Sequence, residues 1–287
     1  KGLWIIGEDI VQTDPNSAHV IKAMKSLDLL VVQEIFMSET AKLADVVLPG
    51  TTFLEKDGTF TNTERRVQRV NKAAEPLPGT KPDGVIVTEM MQKLGYDQPT
   101  YDADQVLAEV ADVVPFFKGI TRERLGKLGL QWPVKEDGTD TKILHEKEFK
   151  LGKGRLKSFD WKESTEIKNN IKEYPLILTT SRVLQHYNAA TMTRRTKNLN
   201  IVDEDILLVN PIDAKERELN NGDIARLYSG RGEVSLKVEV TDKVKEGIVF
   251  TTFHFPEHMV NMVTGDGKDE ETKCAEYKVS AVQVQKI

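Results

Sequence analysis

Three short apolar runs near the start of the chain constrain its fold more than any other feature. Leu3-Trp4-Ile5-Ile6 stops at Gly7-Glu8-Asp9. Leu29-Leu30-Val31-Val32 stops at Gln33-Glu34, and Val46-Val47-Leu48 stops at Pro49-Gly50-Thr51-Thr52. Such runs are too short for core helices and too continuous for half-exposed strands, so they read as buried parallel strands. Between the first two, Asp14-Pro15 reads as a helix start, Asp as N-cap and Pro at the first helical position. Val20, Ile21, Met24 and Leu27 then share a face, and Ser38 to Ala44 reads as a second helical piece. Strand, helix, strand, helix, strand is half of a doubly wound sheet, whose ligands lie beyond the carboxyl ends of the strands. Glu8, Asp9, Gln33, Gly50 and Thr51 converge on that rim. No G-x-G-x-x-G follows any strand, which excludes the ordinary dinucleotide fingerprint.

From Phe53 to Ala74 the pattern changes. Lys56-Asp57-Gly58-Thr59 signals a turn and Arg65 to Val70 alternates weakly, so we expect a hairpin excursion over about 53–80. Pro76 to Pro82 is a linker. Asp83 then caps a helix with Val87, Met90, Met91 and Leu94 inward, and Asp102 caps another with Val106, Leu107, Val110 and Val114 inward. Thr121 to Leu128 reads as a short helix, and Gln131 to Ser164 as an extended polar connection. Beyond Tyr174 come Leu176 to Thr180, Ile206 to Val209, Ile224 to Tyr228, Val234 to Val240, Ile248 to Phe255 and a closing strand near Val279 to Val284. Short strands with turns at such spacing predict a small β-barrel. The expected domains are residues 1–150, α/β, and residues 171–287, β-barrel.

Composition then excludes classes. A net charge of −5 offers no basic excess for nucleic acid. No apolar run approaches the ~18 residues of a membrane span, and a cytoplasmic location is the expectation. The single cysteine, Cys274, excludes a disulfide within the chain and a cysteine-held zinc or iron–sulphur site built from it alone. The chain opens on a strand without an initiator Met, which we read as a cut or processed start. Among polar residues, Asp9 at a strand end suits either a turn cap or a carboxylate accepting two hydrogen bonds, from guanine or ribose. Gly50 suits either an ordinary turn or close backbone approach to a ligand. Arg182, His186 and Asn188 form a polar cluster after a strand. His254 and His258 flank Phe255-Pro256, with loop and site roles both open.

The ordered segments Gly7-Glu8-Asp9, Gln33 to Ala41, Ala44 to Pro49 and Glu55 to Asn62 through Glu64-Arg65-Arg66 resemble the molybdopterin-dependent oxidoreductases. Within that superfamily the chain most resembles the C-terminal portion of the formate dehydrogenase large subunit. The resemblance runs in order through nearly the whole chain. It implies a Rossmann-like three-layer α/β part followed by a C-terminal double-psi-type β-barrel, with the excursion packing near an iron–sulphur domain. It also implies formate oxidation to CO2 by the whole subunit at molybdenum, or tungsten, held by two molybdopterin guanine dinucleotides. A 4Fe–4S cluster and the catalytic residues would belong to an N-terminal remainder of the same subunit, and electrons would pass to a further subunit or acceptor. Carried over residue by residue, the cofactor-binding positions are Glu8, Asp9, Thr13, Gln33, Gly50, Asp83, Arg182, His186, Asn188, Asn261 and Lys278, with no metal ligand and no catalytic residue in this chain. Gly84 departs from the family, which usually has Trp after this Asp. Nitrate reductase and a non-catalytic iron–sulphur subunit of the complex I type are the alternative readings.

Overall fold

The computed structural model describes residues 1–158 and 160–287. It opens with strand β1 (Gly2–Ile6), two helices, α1 (Ile10–Thr13) and α2 (Ser17–Lys25), and strands β2 (Leu29–Glu34) and β3 (Val46–Pro49). The sheet order is β1-β2-β3, with β1 and β2 parallel, Ile5 opposite Val32 and Leu3 opposite Leu30. Ile5, Leu30 and Val32 pack with Met24 of α2 and Ala41 into one core. The helix starts at Ser17, two residues later than Asp14-Pro15 suggested. Asn16 takes a left-handed conformation, and its side chain accepts from the His19 N–H. That side-chain bond satisfies a helix-end donor that Asp14 cannot reach.

The middle of the chain holds β4 (Gly58–Thr61) and β5 (Arg66–Val70), helices α3 (Asp83–Lys93), α4 (Ala103–Val113) and α5 (Arg122–Leu125), and the short strand β6 (Leu130–Gln131). The expected hairpin is present, widened by β6 into a three-stranded antiparallel sheet. Pro82 stands at the N-cap of α3, so Asp83 is its first residue and not its cap. Val67, Leu107, Ile120, Leu125 and Val134 form a separate core.

The last part begins with α6 (Thr165–Asn170), which the polar sequence did not announce. It continues through β7 (Leu176–Ser181), β8 (Ile206–Val209), α7 (Pro211–Glu216), β9 (Ile224–Tyr228), β10 (Glu233–Val240), β11 (Ile248–Thr252) and β12 (Ser280–Lys286). The six strands close in the order β10-β8-β11-β7-β12-β9. β7 and β11 are parallel, as are β8 and β10, and the remaining pairs are antiparallel. This mixed closure is the expected barrel. Alternate residues point inward, as in Val234, Leu236 and Val238 of β10, and join Leu178, Leu207, Leu227 and Val249 in its core.

Two compact units result: Lys1–Val47 together with Asp160–Ile287, and Leu48–Phe159. The division differs from the limits 1–150 and 171–287 expected from the sequence. The first 47 residues cluster with the barrel because polar side chains tie them to it. The buried Gln12 amide donates to the carbonyls of Ala189, Phe253 and His254 at 3.0–3.2 Å. The buried Asn261 amide donates to the carbonyls of Gln12 and Thr13 at 2.8 and 3.1 Å.

Candidate functional site

A cavity of about 560 Å³ opens in the unit that contains the barrel. Its size suits a cofactor-class ligand, for which pockets run roughly 300–1,000 Å³. One wall is built at the carboxyl ends of β1 and β2, and contributes Gly7, Glu8, Asp9, Thr13, Asp14 and Glu34. Gly7 adopts a left-handed φ of 64°, and its N–H donates to the Gln33 carbonyl at 2.9 Å. The chain therefore turns sharply off the strand and aims the acidic residues at the cavity. The opposite wall comes from the barrel: Arg182 and Asn188 after β7, Phe253 after β11, Asn261, and Tyr277 and Lys278 before β12.

The two walls differ in charge. Glu8, Asp14 and Glu34 face Arg182 and Lys278. Burial, with the nearby Glu8 carboxylate, pushes the Asp14 carboxyl above its usual range. Burial pushes the Lys278 ammonium below its usual range, and Arg182 adds to the effect. Lys278 Nζ donates to the Thr180 carbonyl. The Arg182 guanidinium lies 5.3 Å from the Phe253 ring centroid, a cation–π placement that leaves its edge free to meet an anion. Phe36, Tyr187 and Tyr277 add aromatic faces. The cavity thus offers carboxylates for N–H and O–H donors, cations for phosphates and rings for a planar base.

Of the residues expected at a cofactor site, Glu8, Asp9, Thr13, Arg182, Asn188, Asn261 and Lys278 line this cavity. Not all of them present free polar atoms. Asp9 is 6% exposed. Its Oδ1 accepts from the Thr40 N–H at 2.9 Å and the Thr40 hydroxyl at 2.7 Å, and its Oδ2 from the Glu39 N–H at 3.3 Å. Asp9 serves first as a cap for the 39–41 turn. The Asn261 amide is spent on α1, and its Oδ1 accepts from the Thr264 hydroxyl.

His186 is not on the wall. It is buried, with Nε2 donating to the Val202 carbonyl at 2.8 Å and Nδ1 accepting from the Thr193 hydroxyl at 3.0 Å. Both ring nitrogens therefore hold the loop together, which corrects the expectation of a donor aimed at the cofactor. Gln33 is fully buried at the end of β2, and its carbonyl anchors Gly7. Gly50 and Asp83 lie in the other unit. Gly50 is buried and bridges Lys81, and Asp83 pairs with Lys56. Cys274 is exposed. Among the described residues, no group of three His, Cys, Asp or Glu side chains is placed to hold a metal ion. No helix among them is long and apolar enough to cross a membrane.

Sequence reasoning passed over Gln12, Asp14 and Thr40. Asp14 was read as a helix cap, so its place on the cavity wall was hidden. Thr40 accepts from the Val11 N–H at 3.0 Å while donating to Asp9. That pairing spans some thirty residues and leaves no local signal.

Comparison with known proteins bears on this cavity from both walls. A molybdopterin oxidoreductase family model matches residues 1–93, and a molydopterin dinucleotide binding domain model matches residues 176–281. The F420-dependent formate dehydrogenase subunit alpha of Methanocaldococcus jannaschii is 45% identical over 293 residues, covering 100% of this chain and 43% of that protein. An F420-dependent formate dehydrogenase 2 subunit alpha of Methanococcus maripaludis is 44% identical with the same coverage. The chain thus spans less than half the length of these curated relatives. The acetylene hydratase structure from Pelobacter acetylenicus matches the fold with a TM-score of 0.74 at 19% identity, covering 100% of this chain and 44% of that one.

Proposed function

The chain belongs to the molybdopterin oxidoreductases, and from that premise we propose that it is the cofactor-binding portion of a formate dehydrogenase large subunit. The cavity with its acidic and cationic walls carries the reading, since both family models contribute residues to it. A molybdopterin guanine dinucleotide fits this donor set in kind. Glu8 and Asp14 accept from the guanine N–H groups or ribose hydroxyls. Arg182 and Lys278 meet the phosphates, Arg182 through its planar fork. Phe36 and Tyr187 lie against planar rings.

When bound, the molybdenum-pterin group supplies the two-electron chemistry of formate oxidation to CO2. This chain's residues hold and orient it and shield it from water. The metal ligand, the 4Fe–4S cluster and the residues that touch formate belong to the remainder of the subunit, with electrons leaving to a further subunit or acceptor.

The test is Arg182→Ala in the full-length subunit. Loss of a charge-assisted hydrogen bond of roughly 1.5–3 kcal/mol weakens retention by about tenfold or more. Molybdenum and released guanine should fall together while the melting temperature holds. Unchanged content of both removes Arg182 from the site.

A further inference from the structure

His254 follows β11 and is fully buried. Its ring bridges the two ends of the segment that forms the barrel wall of the cavity. Nδ1 stands 2.6 Å from the Asn188 carbonyl, and Nε2 stands 3.1 Å from the Val183 backbone nitrogen. A backbone N–H can only donate, so Nε2 carries no proton. Nδ1 must then donate to the Asn188 carbonyl. The ring is neutral, in one tautomer, with both nitrogens used.

The segment between is also tied by His186, to Thr193 and Val202, and by Gln12, to the Ala189 carbonyl, while His254 meets its two ends. Leu184 and Tyr187 are exposed. Ala190 sits at a positive φ of 53°, which a residue of its kind rarely adopts unless held there, and Asn188 sits at 48°, a conformation Asn tolerates. Arg182 lines the cavity one residue before Val183, and Asn188 lines it at the other end.

The groups around the ring set its response to acid. Burial pushes the imidazole below the usual histidine range. The Asn188 carbonyl and the Asp205 carboxylate oppose this, and His186 and Arg182 add to it. The His186 ring centroid is 5.4 Å away. Asp205 accepts from the His254 backbone N–H at 3.0 Å and lies 3.6 Å from His258 Nδ1, an ion pair when that ring is protonated, a state that Glu204 and Glu257 also favour. Adding a proton at Nε2 sets two N–H groups against each other and breaks the Val183 bond.

We propose that His254 is the positioning residue of this wall: a neutral imidazole that fixes the spacing of Arg182 and Asn188 and makes binding of an anionic nucleotide fail in acid. The proposal rests on the reading of the cavity as a dinucleotide site, and the two fail separately.

The experiment has two parts. The first uses no nucleotide. Nitrogen NMR of the histidine rings, with His254 assigned by its loss in His254→Gln, should show the Nδ1–H tautomer at pH 7.5. The protection factor of the Val183 amide, with exchange referred to the intrinsic rate at each pH, should fall as the pH drops below the usual histidine value of about 6.5. The second measures GDP affinity between pH 7.5 and 5.5. The unaltered protein should lose affinity toward pH 5.5 relative to His254→Gln, which keeps a donor and an acceptor but cannot titrate. The loss stays below about tenfold, because one proton on a ring held below the usual value of about 6.5 can cost no more. The variant also carries the probe's own phosphate titration as control. An Nε2–H tautomer, pH-independent protection of Val183, or equal pH slopes in both proteins overturns the proposal. GDP binding by neither overturns the nucleotide reading and the acid coupling with it. The tautomer and the exchange then still decide the positioning role, and the exchange alone decides it if the variant fails to fold.

Discussion

Asp9 shows how one buried carboxylate can sit at a ligand cavity and still serve the fold. It holds the Thr40 N–H and hydroxyl on one oxygen and the Glu39 N–H on the other. Thr40 in turn caps α1 through the Val11 N–H. Asp9→Asn keeps the volume but places an NH2 group where an acceptor stood. If Asn Oδ1 keeps Thr40, its Nδ2 faces the Glu39 N–H, and a buried donor is left unmatched at a cost of roughly 1–3 kcal/mol. The variant should therefore unfold at lower urea with an unchanged m-value. Its affinity for guanine nucleotide should move little once folded, because Glu8 and Asp14 remain. Native stability with strongly reduced nucleotide binding would return Asp9 to the role of direct ligand. His186 carries the same lesson. A histidine after a strand reads from sequence as a possible donor, yet Thr193 and Val202, which decide its orientation, are brought to it by a loop the sequence does not describe.

At the scale of elements, the strands were legible and the clasps between elements were not. Val234 to Val240 announces itself because inward apolar and outward polar residues alternate along it, and Leu176 to Thr180 because it is a short apolar run closed by two threonines. Helix α6, Thr-Glu-Ile-Lys-Asn-Asn, is too short and polar to show a face. It is held by a tertiary pair 65 residues apart. Arg231 meets Glu166 through both terminal nitrogens, at 3.2 and 2.6 Å, while Glu166 Oε1 also accepts from the Ala281 N–H of β12 at 3.0 Å. Glu166 is 7% exposed and Arg231 18% as side chains. Removing one partner of such a pair strands the other, so Glu166→Gln should cost about 3–5 kcal/mol. Urea unfolding of the variant checks this, and a loss below about 1 kcal/mol would show that α6 is not a clasp of the barrel. The departure at Gly84 also becomes legible only in three dimensions. A Cβ there would lie 2.1 Å from the Tyr101 ring, so Tyr101 occupies the space beside α3 that a side chain at residue 84 would need. Glu8 was readable from its place at a strand end, where ligands bind in open sheets of this class, whereas Thr13, Arg182, Asn188 and Lys278 were readable as cofactor positions only through the family resemblance.

For the whole molecule, the two histidines around Asp205 set opposing responses to pH. Asp205 is fully buried and accepts from the backbone N–H groups of His254 and Phe255, each at 3.0 Å. Interaction with this carboxylate holds His258 above the usual histidine range, while burial holds His254 below it. A raised histidine contributes stability that is fully present below the unfolded value of about 6.5 and is lost as pH rises through the folded value. A depressed histidine acts in the other direction: the fold is at its best above about 6.5 and weakens as pH drops toward the folded value. In the unaltered protein the two trends offset each other, so each should surface when the other is removed. His254→Gln leaves His258, and its stability should fall as pH rises from about 5.5 to 7.5. His258→Gln leaves His254, and its stability should rise over the same window. Neither slope can exceed roughly 1.4 kcal/mol per pH unit, the limit for one proton. Titrations elsewhere, such as that of Asp14, are common to both variants and cancel in the difference. The measurement is urea unfolding of the two variants at pH 5.5, 6.5 and 7.5. Slopes of opposite sign support the opposition centred on Asp205. Equal slopes in the two variants, with no difference left after the common titrations cancel, would mean that the two rings do not respond separately to that one buried carboxylate.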